Sequence, residues 1–221
     1  MTIDDFIRES IRENESEVKA MIMQKKQERI SELLDYSGLG KRFRDKRFDD
    51  YVVRGENREA FDKAVEFSKR FPNCPRGLLI SGPVGTGKSR LAAPITNSLI
   101  DRLYTVICRD ITDIVSMIKS TYGKKTDLEE REMVNMLTDD VDLLVIDDLG
   151  KEQSTENTLV LLYQIVNRLY CDQKPVVITT NYTGQALVGK LGERGSSIVS
   201  RLTEMCDAVA ISGKDWRLTN D

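Results

Sequence analysis

Histidine is absent from this 221-residue chain, and its four cysteines, Cys74, Cys108, Cys171 and Cys206, are scattered without a C-x-x-C pair. A structural zinc site is therefore not expected, for want of ligand spacing. Nowhere do about 18 apolar residues run uninterrupted, so no membrane span is expected. The opening MTIDDFIRES has no basic segment leading into an apolar one, which excludes a secretory signal of the usual kind. Internal repeats and low-complexity segments are also lacking. Neither sign of charge dominates: Lys and Arg number 33 against 36 Asp and Glu, a formal net charge of -3. Any contact with nucleic acid must then come from a local patch. Cys108 and Cys206 lie in or beside apolar runs, where a thiol behaves as a small hydrophobe. A reducing, cytoplasmic setting accounts for all four cysteines without disulfides.

What is present suits one globular domain. Hydrophobic residues make up 40% and charged residues 31% of the chain, enough to bury a core but too short a length for two full domains. Residues 1–40 form an arm: Ile3, Ile7, Ile11, Val18, Ile22, Ile30, Leu33 and Leu34 recur at helical spacing amid mixed charge, predicting one or two amphipathic helices. The pattern ends at residues 37–40, SGLG, and a basic stretch with two aromatics follows, KRFRDKRF at 41–48. That stretch is either a linker with Phe43 and Phe48 packed on the core or a contact for nucleic acid or nucleotide.

Across 41–221, short apolar runs alternate with helical patterns. Strands are expected at 77–81, 104–109, 142–147, 175–180 and 207–212, and helices at 88–101, 112–122, 127–137, 154–170 and 183–191. This alternation predicts a three-layer α/β domain, a parallel sheet flanked by helices. Pro94, two turns into one helix, predicts a kink there.

The chemistry is concentrated in a few segments. Gly82, Pro83, Val84, Gly85, Thr86, Gly87, Lys88 and Ser89 match G-x-x-x-x-G-K-[ST], after a strand and at the start of a helix, with Arg90 next in line. Glycines let backbone N–H groups approach a β-phosphate, the helix N-terminus adds positive potential, and Lys88 neutralises the β- and γ-phosphates. The implied cofactors are ATP and Mg2+, with the Ser89 hydroxyl as one metal ligand.

Residues 143–148, LLVIDD, are a buried strand ending in two carboxylates, which a core tolerates only if they reach a charged ligand. Asp147 suits the magnesium shell and Asp148 the attacking water, unless Asp148 caps the following turn. After the next apolar strand, Asn181 is a candidate γ-phosphate sensor or a strand-end turn residue. An extra strand between the two motif strands is the arrangement of P-loop NTPases of the AAA+ and RecA-like (ASCE) type. Arg194, Arg201 and Arg217, near the C-terminus, are each candidates to complete a neighbour's site as an arginine finger, which makes a homo-oligomer part of the mechanism.

Residues 82–89, LLVIDDLG at 143–150, ITTNY at 178–182, and LGERGSSIVSRLTEMC followed by GKDWR together resemble the DnaC/IstB family of AAA+ ATPases over about 41–217. The resemblance is greatest to phage-type and Gram-positive replicative helicase loaders. It implies Asn181 at the sensor 1 position, Arg201 in the S-R-L element as the finger acting in trans, and Arg217 at a sensor 2-like position. No helical lid domain is expected after Arg217. The 41–48 stretch then reads as lead-in and pocket wall.

The partners implied are the hexameric replicative DNA helicase, gripped by the arm as a helix in a groove, and single-stranded DNA. For DNA contact the resemblance points to Tyr122, which is equally suited to core packing, and to Thr155 and Asn157, where Asn157 offers hydrogen bonding but no stacking. Two other readings stand beside the loader: a transposition ATPase working with a transposase on duplex DNA, and a regulatory subunit that binds ATP without useful turnover. Asp148, one methylene shorter than a glutamate, predicts slow hydrolysis.

Overall fold

The computed structural model describes residues 3–119, 127–151, 155–216 and 218. Its first element is one long helix, α1 (Ile3–Ser37), followed by single 3-10 turns and α2 (Arg58–Arg70). Then come β1 (Gly77–Ser81), α3 (Lys88–Ile100), β2 (Val106–Asp110), α4 (Ile111–Lys119) and α5 (Asp127–Thr138). The chain continues through β3 (Leu143–Leu149), α6 (Glu156–Cys171), β4 (Val176–Thr180), α7 (Gly184–Leu191), α8 (Gly195–Met205) and β5 (Cys206–Ala210). All strand pairings are parallel, in the order β2-β3-β4-β1-β5. As expected from the sequence, β4 stands between the glycine-loop strand β1 and the carboxylate strand β3.

Strands buried on both faces need apolar residues at every position, and their alternation decides which layer each residue serves. Leu79, Ile107, Leu144, Ile146, Val176 and Ile178 face a core filled by α4 to α8. Their neighbours Leu78, Ile80, Val106, Cys108, Leu143, Val145 and Val177 face the other, filled by α2, α3 and the end of α1. Two of these helices were not expected. In α2 the inward stripe is only Ala60, Ala64 and Phe67, narrow and surrounded by charge. In α8 it is Ile198, Val199, Leu202 and Met205, behind a glycine-rich start.

Pro94, where a kink is expected, lies buried within α3, which runs from Lys88 to Ile100. Two nearby hydroxyls bond back to helix carbonyls, Thr96 to Ala92 at 3.1 Å and Ser98 to Ile95 at 2.9 Å.

The arm is a single helix, and its two ends differ. Every described side chain from residue 17 to 29 is exposed, among them Val18, Met21, Ile22 and Met23. At the other end Leu33, Ser37 and Leu39 are buried, and the helix packs on β2 and α3. Arg109 of β2 lies directly against Gly38, and Arg44 ties the junction to Asp35 and to the Leu39 carbonyl. Phe43 and Phe48 pack on the core, as the linker reading expects. Buried Asn97 of α3 holds the stretch, donating to the carbonyls of Phe43 and Lys46 at 2.8 and 2.7 Å.

Candidate functional site

Between β1 and α3 the backbone wraps into an open loop. Gly87 is the residue before α3 and has φ +95, a left-handed conformation that costs an L side chain about 1–2 kcal/mol. Gly85, at φ +79, is strained for any side chain, and a Cβ there would displace the Asp215 carboxylate, whose Oδ1 lies 1.8 Å from that position. Thr86 Oγ1 and Lys88 Nζ both donate to the Pro83 carbonyl at 2.8 Å, which draws the loop around the lysine. The loop leads into the N-terminus of α3, where helix N–H groups and the helix dipole favour an anion.

The two carboxylates of β3 reach the same place through a fault in the sheet. Along β3 and β4, Ile146 pairs with Ile178 and Leu149 with Thr180, leaving Asp147 and Asp148 opposite the single residue Thr179. Such a bulge adds one residue to one strand and re-aims side chains. Asp148 absorbs the distortion at φ +56. Its N–H donates to Thr179 Oγ1 at 2.9 Å, while that hydroxyl donates to Asp147 Oδ1. Ser89 Oγ donates to the same Asp147 oxygen at 2.9 Å. Asp147 is thereby tied to the glycine loop, and Asp148 faces the open cleft.

Burial raises the Asp147 carboxyl above its ordinary value, with the hydrogen bonds from Thr179 and Ser89 opposing it. A buried anion of this kind is relieved by a cation. Its oxygen and the Ser89 hydroxyl are hard donors that fit Mg2+. Among the described residues no three His, Cys, Asp or Glu side chains cluster to hold a metal. A divalent ion between Ser89 and Asp147 would therefore draw further ligands from phosphate oxygens and water.

The cleft over this loop has a volume of about 680 Å³. Val84, Gly85, Thr86, Gly87, Lys88, Ser89 and Arg90 form its floor, with Asp148 and Asn181 at its rim. Gly82 and Pro83 lead into that floor from β1. The opposite wall was not foreseen from sequence: Tyr51, Val52, Arg54 and Asn57 come from the segment before α2, and Trp216 from the C-terminal segment. The Arg54 guanidinium stacks 3.6 Å from the Trp216 ring centroid, and the Trp216 N–H donates to the Gly85 carbonyl at 3.2 Å. Arg42, of the basic stretch, joins the lining.

Other anticipated residues lie elsewhere. Arg201, on α8, is bound to α6: its Nε donates to Asn167 Oδ1 at 2.9 Å and its Nη2 to the Tyr163 hydroxyl at 3.0 Å. It does not line this chain's own cleft. Arg194 is exposed just before α8. Thr155 caps α6 by accepting from the Thr158 N–H at 3.4 Å, and Asn157 is exposed in the first turn. Tyr122 and Arg217 lie outside the described residues.

A family model described as IstB-like ATP binding protein matches residues 14–221. The chain belongs to this ATP-binding family. Within the IstB/DnaC-like group, the Escherichia coli (strain K12) protein YdaV is 31% identical over 205 residues, 91% of this chain and 79% of YdaV. The replicative helicase loader DnaC of the same organism is 34% identical over 148 residues, 66% of this chain but 60% of the loader. Among solved structures, AMPPCP-bound DnaA from Aquifex aeolicus matches with a TM-score of 0.66 at 26% identity, over 76% of this chain and 50% of that one. A crystal structure of the DnaC helicase loader matches with a TM-score of 0.67 at 24% identity, over 78% of this chain and 99% of that one, and shares its fold. The IstB/DnaC-like family and the AAA+ P-loop architecture expected from the motifs are thus both found. Among the described residues no helix is long and apolar enough to cross a membrane.

Proposed function

We propose that this chain is an ATP-hydrolysing loader of a replicative DNA helicase. Hydrolysis rests on one observation above all: Ser89 meets Asp147 at 2.9 Å beside the glycine loop, while Asp148 lines the same cleft. Loop N–H groups and Lys88 hold the β- and γ-phosphates, Arg90 flanks them, and the wall of Tyr51, Val52 and Trp216 takes the base. When bound, Mg2+ supplies charge neutralisation across the phosphates. Asp148 orients the attacking water by accepting its hydrogen, and Asn181 donates towards the γ-phosphate.

Arg201 acts on a neighbouring subunit's nucleotide, which agrees with its absence from this chain's own cleft; Arg217 contributes to the chain's own nucleotide. The loading role rests on the 34% identity with DnaC and on an arm whose exposed Val18, Met21 and Ile22 share one helix face. Single-stranded DNA is the second partner: a replication initiator DnaA bound to AMPPCP and single-stranded DNA is 25% identical, with a TM-score of 0.68 over 80% of this chain.

The test is steady-state ATP turnover of wild type and Lys88→Ala, each alone, with single-stranded DNA, and with the replicative helicase. The reading expects slow basal turnover in wild type, stimulation by DNA or helicase, a stable helicase complex, and loss of turnover in the variant. Assembly on duplex DNA with the helicase ignored would replace it with the transposition reading. ATP binding without turnover under every condition would leave a regulatory subunit.

A further inference from the structure

Beside Asp148 stands a cation that the hydrolysis scheme above does not use. Lys151 ends the tight turn after β3, its N–H donating to the Asp148 carbonyl at 3.1 Å, and its side chain lines the nucleotide cleft. The ammonium lies between two carboxylates, 2.9 Å from Asp110 Oδ2 and 3.5 Å from Asp148 Oδ2. Asp110, at the end of β2, is a fixed post. Its other oxygen accepts from the Thr112 N–H at 2.8 Å and the Thr112 hydroxyl at 2.7 Å. Asp148 is equally constrained at its backbone, where the Thr179 hydroxyl holds the N–H. Only side-chain rotation is left to it.

We propose that Lys151 is a positioning residue whose ammonium, shared between Asp110 and Asp148, engages Asp148 and keeps it from the attacking water until the triphosphate enters. The inference rests on the reading of Asp148 as the water-orienting carboxylate. An oxygen engaged by an ammonium is a poorer acceptor for a water hydrogen and is drawn off the line of attack. The arriving γ-phosphate brings negative charge into the cleft that Lys151 lines and competes with Asp148 for that ammonium. Asp110 divides the lysine's attraction, so its removal delivers Lys151 wholly to Asp148. Lys151 and Asp110 therefore have opposite effects on rate, which a shared role in folding or in phosphate binding does not produce.

The experiment measures kcat and KM for ATP in the full chain for wild type, Lys151→Met, Asp110→Asn and the double variant, with Lys88→Ala as background. Lys151→Met is expected to raise partner-free kcat about two- to five-fold, the range of an ion pair with one exposed member, with KM moving less than kcat. Asp110→Asn is expected to lower kcat, and the double variant to follow Lys151→Met. Because the Lys151 side chain is 55% exposed, thermal melting of that variant should stay at the wild-type value. A wild type that turns over while Lys151→Met is slower, or two single variants that change kcat in the same direction, would overturn this role of Lys151. Turnover at the Lys88→Ala background in wild type and every variant would overturn both that role and the hydrolysis reading.

Discussion

The arm and the C-terminal ends of the strands that carry the carboxylates make opposite use of their residues. Along residues 17–29 of α1, every side chain meets solvent, and Met21, Ile22 and Met23 are 60%, 62% and 71% exposed. At the ends of β3 and β4, Asp147 and Thr179 sit inside the protein, and one hydroxyl serves two neighbours. The first region keeps apolar surface uncovered, which suits it to a partner. The second keeps charge covered, which suits it to chemistry. Where a chain tolerates the more expensive arrangement, it marks what that region is for.

Substitutions can break this contrast. Leu33→Ala, at the buried end of α1, should cost about 2–5 kcal/mol in denaturant unfolding, whereas Ile22→Ala on the same helix should stay within about 0.5 kcal/mol. Equal costs would mean that the outer arm is packed in solution. Asp148→Asn should lower ATP turnover about a hundredfold while nucleotide binding, followed by fluorescence, persists. Retained turnover would return Asp148 to a turn-capping role.

Smaller effects sharpen the picture. Thr179→Val leaves the half-buried Asp148 N–H without its acceptor and should cost about 1 kcal/mol of stability, read in the same unfolding experiment. Asp147→Asn should act in the other direction. A carboxyl whose folded-state pKa is raised favours the folded state below its unfolded pKa, and that contribution is lost as pH rises through the folded value. At neutral pH the nucleotide-free chain therefore bears the cost of a buried charge. Asp147→Asn should stabilise it by about 1 kcal/mol and weaken Mg2+-dependent nucleotide binding. A loss of stability at neutral pH would show that the hydrogen bonds outweigh burial.

Local signals explain what could be read from the sequence. A glycine loop works through its own backbone and the helix that follows, so residues 82–89 announced themselves, as did the apolar run into Asp147 and Asp148. The parallel sheet followed from the alternation of elements. What escaped depends on distant segments meeting. Thr179 matters because its hydroxyl is the sole residue opposite a two-residue bulge, a pairing fact invisible in VVITTN. Trp216 and Arg54 meet across more than half the chain to make one wall. Lys151 carries no local signal, because only the fold of β2 brings Asp110 beside it. Pro94 is carried inside a buried helix that continues past it to Ile100.

The left-handed backbone at Asp148 has a consequence for which acid can occupy that position. Asparagine and aspartate tolerate positive φ better than other side-chain-bearing residues, because a short polar group can bond locally. Glutamate would extend the carboxylate towards the γ-phosphate but fits the φ of +56 less well. Reach and dihedral preference therefore pull against each other, and here the main chain chooses the shorter side chain. For the hydrolysis proposed above, the reach of Asp148 is in that sense set by the register of the sheet.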